Sequence, residues 1–241
     1  MIKKLRLRSK LKGAYFLFRL HYLFPGKLFT FIGHFSALSK FISSHRKIEF
    51  NDFYTFQFNH SKRYKLYEHL VKKEQLNNIA IDYLEFGVSK GHSFKWWIEK
   101  NNNPSSKFYG FDTFTGLPED WGPYKKGDMS SGNEQPPMPG NRHEYFQGLF
   151  QDTLPDFLKK YQPGKDKVKL IHMDADLYSS TLFALTSSSP YINKGDIIIF
   201  DEFNVPMHEF KAFTEWSSSF YVDYEVLGAV NNFYQMAIKI K

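Results

Sequence analysis

The 241-residue sequence contains no cysteine. This absence excludes a disulfide-stapled scaffold, a thiolate metal site and a cysteine nucleophile, and it fits the reducing cytoplasm, where we expect the protein to work. The chain also lacks the ~20 consecutive apolar residues that a membrane-spanning helix needs, because Arg19, His21, Pro25 and Lys27 interrupt its most apolar region. No small-residue cleavage site follows that region, so the sequence does not predict a signal peptide.

Net positive charge is absent after the first fifty residues. Residues 1–50 hold eleven Lys and Arg and one acid, Glu49, so they carry +10 of a net charge of +7 and leave −3 for the remainder. A body without a basic stripe does not fit a nucleic-acid-binding protein. The basic segment is either an amphipathic helix on an anionic membrane surface, peripheral at the inner face, or a helical arm that packs on the body or on another subunit. We favour the arm, and with it a homo-oligomer.

Apolar runs rich in β-formers alternate with segments of helical periodicity from about residue 60 onward. The last two runs, "YEVLGA" and "FYQMAIKI", predict an antiparallel hairpin. This alternation is typical of an α/β sandwich with a mostly parallel sheet, here of seven strands. The predicted strands before the hairpin are 81–88, 107–114, 143–150, 167–175 and 195–203.

The pattern divides the chain into a basic, aromatic-rich helical arm, 1–58, and a single α/β domain, 59–241. Within the domain, 115–142 is dense in Gly, Pro, Ser and Asn. Loops longer than ~15 residues in compact domains are usually functional or disordered. We interpret 115–142 as a lid loop, in which Trp121 and Tyr124 are available to stack on a ligand.

Four of the predicted strands run apolar and then reach an acid: Glu85, Asp112, Asp174 and the pair Asp201–Glu202. In a parallel sheet, ligands bind beyond the carboxyl ends of the strands, so these acids should share one edge. A single acid there is often only a helix cap or a turn residue. Buried unpaired carboxylates are strongly destabilising, so four in succession favour a binding site that supplies cations or hydrogen-bond donors.

The first of these acids precedes a glycine-containing turn. Glu85 is followed by Gly87 and Gly91, with Ser89 where the dinucleotide-binding pattern has its middle glycine. Asp112 ends the next strand, where an acid can accept hydrogen bonds from ribose hydroxyls. Together these residues predict a nucleoside-bearing cofactor, although not through the dinucleotide fingerprint.

Asp174 and the pair Asp201–Glu202 offer only oxygen ligands, which suit a hard cation, Mg²⁺ foremost. The segment Asp174–Ala175–Asp176 is also typical of metal-dependent nucleotide-sugar glycosyltransferases. The order of glycine turn, strand-end acid and second acidic pair favours the cofactor-binding interpretation. A non-catalytic, membrane-associated protein with the same fold is a third hypothesis, motivated by the basic arm.

Five segments carry a family resemblance: "YLEFGVSKGHSFKWW", "FYGFDTFTGLPEDW", "GLFQDTLPDFL", "IHMDADLYSST" and "GDIIIFDEF". They resemble the successive motifs of the macrocin O-methyltransferase (TylF/MycF) family, over roughly residues 60–240. The resemblance implies a Rossmann-like class I methyltransferase sandwich. It also implies S-adenosylmethionine- and Mg²⁺-dependent methylation of a hydroxyl on a sugar or glycosylated natural product.

The resemblance further implies roles for individual residues. Asp174, Asp201 and Glu202 would bind Mg²⁺, although family members usually have an aspartate where Glu202 stands, one methylene shorter. Methyl transfer also needs a base for the acceptor hydroxyl. Asp174 and His208 are the candidate catalytic residues, and His172 is more typical of a packed core histidine. The implied cofactor contacts are Glu85, Gly87, Ser89, Gly91, Asp112 and Asp174.

Overall fold

The computed structural model describes residues 2–23, 25–164 and 166–241. Its α-helices are α1 (Ile2–Leu17), α2 (Gly26–His45), α3 (Lys62–Glu74), α4 (His92–Lys100), α5 (Phe150–Lys160), α6 (Tyr178–Ser188) and α7 (Glu209–Ser219). Its strands are β1 (Ile81–Phe86), β2 (Lys107–Asp112), β3 (His143–Gln147), β4 (Val168–Met173), β5 (Ile197–Phe200), β6 (Tyr224–Val230) and β7 (Gln235–Ile240).

The seven strands form one sheet in the order β3-β2-β1-β4-β5-β7-β6. The first five strands of this order are parallel, and β7 runs antiparallel between β5 and β6. The predicted Rossmann-like sandwich with an antiparallel C-terminal hairpin is therefore confirmed. The strand order reverses between β1 and β4, and a ligand crevice is expected at such a switch point.

Helices cover both faces of the sheet. Alternate side chains of β1 point to opposite faces, so that Leu84 and Phe86 pack with α5, α6 and α7, whereas Ile81 and Tyr83 pack with α3 and α4. The "IIIF" run of β5 is buried throughout, as expected for a strand covered on both sides. The sheet is thereby fixed from both faces, and its carboxyl edge is held as a rigid platform.

All five strands predicted before the hairpin end earlier than expected, and two of these differences bear on the site. β1 ends at Phe86 and not at residue 88, and β4 ends at Met173 and not at residue 175. Asp176 has a φ of 57°, a left-handed conformation that a strand cannot contain but that Asp tolerates in turns. Asp174 and Asp176 therefore lie in a turn, and strand alternation does not decide where their carboxylates point.

The helical part of the N-terminal arm contacts the body through the second half of α2, and the segment after it adds a β-bridge between Asn51 and Ala229. Leu38 is buried, and the ring of Phe41 lies 5.1 Å from that of Phe203 and 6.5 Å from that of Phe233. In α1 and the first half of α2, large apolar side chains such as Leu11 and Phe35 are exposed. The apolar side chains before Leu38 are thus largely exposed in the single chain, and packing of the arm on another subunit stays a prediction. None of the described helices has the length and apolarity to cross a membrane.

Replacing Phe41 with alanine should lower the free energy of unfolding by roughly 2–4 kcal/mol, since a large-to-small change in a core removes contacts and leaves a cavity. Urea unfolding of the full chain measures the effect. Phe35→Ala is the matched control on the same helix, and its exposed ring should contribute under about 0.5 kcal/mol. Equal losses from both variants would contradict this docking of α2.

Candidate functional site

A cavity of about 340 Å³ opens at the carboxyl ends of the central strands. One part of its wall contains Gly87, Ser89 and Asp112 from the ends of β1 and β2. Another part contains Asp174 and Glu202, with Asp176 and Tyr234 beside them. Loops after four strands therefore converge on one space, as the strand order requires.

Gly87 allows the turn after β1 to lie directly against the end of β4. Its φ is 98°, and a Cβ built on it would lie 1.7 Å from the carbonyl oxygen of Asp174. The Asp174 N–H in turn donates to the Phe86 carbonyl at 2.9 Å. Any side chain at residue 87 would therefore separate the two halves of the cavity wall.

Asp112 is held by two backbone amides. The N–H of Ser89 donates to its Oδ2 at 2.7 Å and the N–H of Phe114 donates to its Oδ1 at 2.6 Å. A carboxylate has about four acceptor positions, so Asp112 can still accept hydrogen bonds from a ligand in the cavity. Its orientation is fixed before any ligand arrives.

Five carboxylates cluster at the ends of β4 and β5: Asp174, Asp176, Asp201, Glu202 and Glu209. Three of them line the cavity, whereas Asp201 and Glu209 are fully buried behind it. The backbone N–H of Glu202 donates to Glu209 Oε2 at 2.9 Å, which ties the start of α7 to the end of β5. The cluster thus forms one continuous acidic patch, part wall and part interior.

Several buried oxygens of this cluster have no hydrogen-bond donor within the described part of the chain. They are both side-chain oxygens of Asp201, Oε2 of Glu202 and Oε1 of Glu209. Unsatisfied buried acceptors are uncommon and destabilising, more so when charged. A cation bound among them would satisfy them.

Arg63 of α3 provides one positive charge for the cluster. Its Nη2 lies 2.7 Å from Asp201 Oδ2, although without hydrogen-bond geometry, and its Nη1 lies 3.6 Å from Asp174 Oδ2. The same guanidinium lies 2.9 Å from His60 Nδ1, and His60 lines the cavity. Arg63 therefore bridges the two aspartates that the sequence predicted as metal ligands.

His172 provides a second positive charge from inside the sheet. Its Nδ1 lies 2.9 Å from the hydroxyl of Tyr83, and that hydroxyl donates to Glu85. Because the hydroxyl proton is used in this way, the oxygen accepts from His172, so Nδ1 carries a proton. Its Nε2 lies 3.3 Å from the hydroxyl of Tyr67 and 3.9 Å from Asp201 Oδ1.

The pKa values of His172 and the nearby aspartates are set by two effects, burial of each group and the charges of its neighbours. Burial acts to lower the pKa of His172, but Asp201 and Glu85 outweigh it and raise the pKa to about 10. Burial and the charge of Asp201 raise the pKa of Asp174 well above its usual range, and that of Asp176 to about 7. For Asp201 itself, His172 and Arg63 outweigh burial, and the pKa is lowered.

The sequence-predicted residues divide into two groups. Those in the cavity wall are Gly87, Ser89, Asp112, Asp174 and Glu202. Of the others, Glu85 is buried within β1 beneath Tyr83, Asp201 is buried behind Arg63, and Gly91 caps α4 beneath the side chains of Pro136 and Met138.

His208 lies behind the cavity wall. It precedes α7, and its ring centroid is 6.3 Å from that of Trp121, which lines the cavity. Burial lowers the pKa of His208, and its Nδ1 has no hydrogen-bond partner among the described residues. His208 itself is not among the residues that line the cavity.

The glycine- and proline-rich segment 115–142 lies over the cavity. Trp121 and Tyr124 exchange two backbone hydrogen bonds of 3.0 and 2.8 Å, and their rings stack at 5.3 Å. Glu119 accepts a hydrogen bond from Ser179 of α6 at 2.9 Å. The segment thus brings a pair of aromatic rings to the acidic part of the cavity.

The sequence reasoning missed four residues of the site: Arg63, Tyr67, Tyr83 and Glu209. One signal was available, because Arg63 shares the spacing of the buried α3 stripe formed by Leu66, Tyr67 and Leu70. A charged residue at a core position of an amphipathic helix needs a buried partner. The identity of that partner, however, depends on how α3 packs against β4 and β5.

Replacing Arg63 with methionine should lower the free energy of unfolding by roughly 3 kcal/mol at pH 8 without divalent metal, because buried carboxylates lose their partner. Urea unfolding in EDTA measures this loss. Lys62→Met is the matched control. Lys62 also pairs with an acid, Asp52 at 2.6 Å, but at a more exposed position, so about 1 kcal/mol or less is expected. Equal effects would contradict the role of Arg63.

The metal-free protein should lose stability as the pH rises from about 4 to 8. The raised pKa of Asp176, about 7 against an ordinary 3.8, means that the folded state holds this proton more tightly than the unfolded state. Its contribution is present below the ordinary pKa and is lost as the pH rises through the folded one, by roughly 2–4 kcal/mol. Asp176→Asn should flatten the profile, and stability that rises through this window would contradict the assignment.

Comparison with known proteins places this site in a known type of domain. Residues 84–203 match the family model of a methyltransferase domain, whereas no curated protein sequence matches the chain. Among solved structures, the calicheamicin methyltransferase CalS11 has a TM-score of 0.55 at 18% identity over 90% of this chain and 93% of its own. The apo structure of CalS11, described as a TDP-rhamnose 3′-O-methyltransferase, has a TM-score of 0.53 at 18% identity over 86% of this chain and 93% of its own.

An O-methyltransferase from Bacillus cereus, solved in complex with SAH, has a TM-score of 0.50 at 15% identity over 86% of this chain and 90% of its own. At these identities the likeness establishes the fold. The matched range runs from Leu84 in β1 to Phe203 after β5, so it includes the cavity wall from Gly87 to Glu202. The chain therefore has a Rossmann-like methyltransferase fold with the acidic cavity at its carboxyl edge, and residues 84–203 are similar to a methyltransferase domain.

Proposed function

We propose that the protein transfers the methyl group of S-adenosylmethionine to a hydroxyl of a sugar or glycosylated natural product, with Mg²⁺ in the acidic cluster. The observation that carries the proposal is that one cavity in a methyltransferase domain joins Asp112 to Asp174, Asp176 and Glu202. Asp112 is suited to bind a ribose, and the other three acids are suited to bind a metal and an acceptor.

The cofactor part of the proposal rests on the turn after β1 and the end of β2. Asp112 is oriented by backbone amides and has free acceptor positions, which suits hydrogen bonds from two ribose hydroxyls. Gly87 and Ser89 border the same space, where the methionine part would lie. The structural similarity to an O-methyltransferase that holds SAH supports this cofactor.

The donor set fits a hard cation. Asp174, Asp201 and Glu202 would hold Mg²⁺ through oxygens, of which three lack a hydrogen-bond donor among the described residues, and oxygen ligands are what Mg²⁺ prefers. His172 also offers an atom within 4.8 Å of these aspartates. Its ring nitrogens already face Tyr83 and Tyr67, so we assign it to the support of Asp201. Bound Mg²⁺ would polarise the acceptor hydroxyl and lower its pKa.

The acceptor part of the proposal rests on the aromatic pair and on Asp176. In the transfer, the bond from the methyl carbon to sulfur breaks as the bond to the acceptor oxygen forms, and the hydroxyl proton must leave. The carboxylate of Asp176 in the cavity wall is placed to take this proton, and a catalytic role for His208 or Asp174 stays a prediction.

Trp121 and Tyr124 offer ring faces to a sugar. The resemblance to macrocin O-methyltransferases and the TDP-rhamnose specificity of CalS11 support such an acceptor.

A metal-dependent glycosyltransferase is the alternative that Asp174–Ala175–Asp176 raised. The methyltransferase-domain match over this segment favours methyl transfer. The cytoplasmic location stays a prediction.

Isothermal calorimetry with S-adenosylhomocysteine and with MgCl₂ separates the two halves of the site. Asp112→Asn should weaken binding of the cofactor product about 10-fold or more, because hydrogen bonds to a charged group contribute roughly 1.5–3 kcal/mol, and should leave Mg²⁺ binding unchanged. Asp201→Asn should abolish measurable Mg²⁺ binding and leave the cofactor product bound.

Asp156→Asn is the control, since this acid is exposed on α5 and pairs only with Lys159 among the described residues. It should change neither affinity. Absence of binding at about millimolar S-adenosylhomocysteine would overturn the methyltransferase proposal. Activity that survives EDTA would overturn the metal assignment alone.

A further inference from the structure

The arm presents an unusual amount of apolar surface. We use "the arm" for residues 2–36, which precede the first buried residue, Leu38. Leu11 is 62% exposed, Leu28 52% and Phe35 56%. Monomeric soluble proteins rarely expose contiguous apolar patches, and such patches usually mark an interaction site.

The exposed apolar residues fall on faces of the two helices. In α1, Leu7 and Leu11 lie one turn apart, which places them on the same face. In α2, Leu28, Ile32 and Phe35 share a face by the same spacing. This stripe continues at Leu38 and Ile42, which pack on the body. The C-terminal part of this stripe on α2 therefore packs against the core, and its N-terminal part is left exposed for an external partner.

The arm is also strongly basic. Exposed Lys4, Arg8 and Lys12 follow one another at four-residue spacing beside the Leu7–Leu11 face. The single acid of residues 1–50, Glu49, pairs with Lys73 of α3. No basic side chain described before residue 50 takes part in an ion pair. The charge of the arm is therefore available to an external anion.

We propose that the arm binds the surface of an anionic membrane. Apolar faces flanked by Lys and Arg are the pattern of helices that lie in the membrane interface. Helix α1 carries this pattern, and α2 adds an exposed apolar stripe with Lys27 at its start. Neither helix is both long and apolar enough to span a membrane. A second copy of the chain is a poorer fit, because pairing two arms would place two segments of +8 each against each other. Nucleic acid would use the charge but leave the apolar stripe of α2 uncovered.

The segment between the arm and the domain extends this surface to the cavity rim. Tyr54 and Phe56 are exposed, the latter at 91%. Phe58 packs against Tyr234 at 5.0 Å, and Tyr234 and His60 both line the cavity. An arm on a membrane would therefore hold the cavity rim toward the same surface. This orientation does not depend on the proposed methyl transfer.

The test is co-sedimentation of the full chain with vesicles of phosphatidylcholine, alone or with about one third phosphatidylglycerol. We expect binding to the anionic vesicles at least about 10-fold stronger than to the neutral ones, and weaker in about 0.5 M NaCl. The variant with Arg8, Lys10 and Lys12 changed to Gln should lose about 100-fold in partition coefficient, since each basic side chain contributes about a fivefold factor.

A matched charge control changes Lys95, Lys159 and Lys160 of the body to Gln, which removes the same charge from exposed positions and should leave partitioning within about twofold. Changing Leu28, Ile32 and Phe35 to Ser should reduce binding at both salt concentrations, because it removes the inserted surface. Changing Phe220 and Tyr221, exposed residues at the end of α7, to Ser is the apolar control and should have no effect.

The absence of cysteine allows a test of orientation with single labels. A polarity-sensitive dye on Cys introduced at Phe31 or Phe56 should shift to the blue with anionic vesicles. The same dye on Cys introduced at Tyr221 should show no blue shift, because this residue lies between α7 and β6, at the amino ends of the parallel strands and away from the cavity. Equal binding to neutral and anionic vesicles, or none, would overturn the proposal. So would a dimer or an oligonucleotide complex that depends on the arm while vesicle binding is absent.

Discussion

The constraint on which the site depends is the burial of carboxylates at the carboxyl ends of β4 and β5, where Arg63 and His172 are the cations beside them. Two cations lie beside five acids, burial raises the pKa of Asp174, Glu202 and Glu209, and several oxygens have no hydrogen-bond donor among the described residues. Such an arrangement is unfavourable for stability alone. It is maintained by elements fixed elsewhere, because α3, the sheet and α7 each have their own apolar contacts in the core.

The two cations are held in different ways. His172 is fixed inside the sheet by Tyr83 and Tyr67, so its position is part of the rigid platform. Arg63 approaches from a helix, and its guanidinium also contacts His60 at the cavity. Mg²⁺ would therefore enter a site that already contains a positive side chain. Repulsion between the two connects metal binding to the position of α3.

The arm and the domain follow different physical rules. The domain buries its aromatic residues in a layered core around the sheet, whereas the arm exposes its own and is connected to the core by the following half of α2, through Leu38 and Phe41. Its exposed residues therefore contribute little to folding stability. Their composition is explained by an external partner, and the rim segment places that partner beside the cavity.

The sequence by itself determined which segments form strands and at which edge of the sheet the site lies. Alternating apolar runs predicted seven strands, and acids after those runs predicted a site at the carboxyl edge. Local patterns suffice because burial periodicity and chain direction are local properties. Only the tertiary structure decided that Glu85 and Asp201 lie behind the wall, that β4 ends before Asp174, and that Arg63 bridges two aspartates. Those facts depend on how α3 packs across the sheet, and contacts between residues over a hundred positions apart leave no local signal.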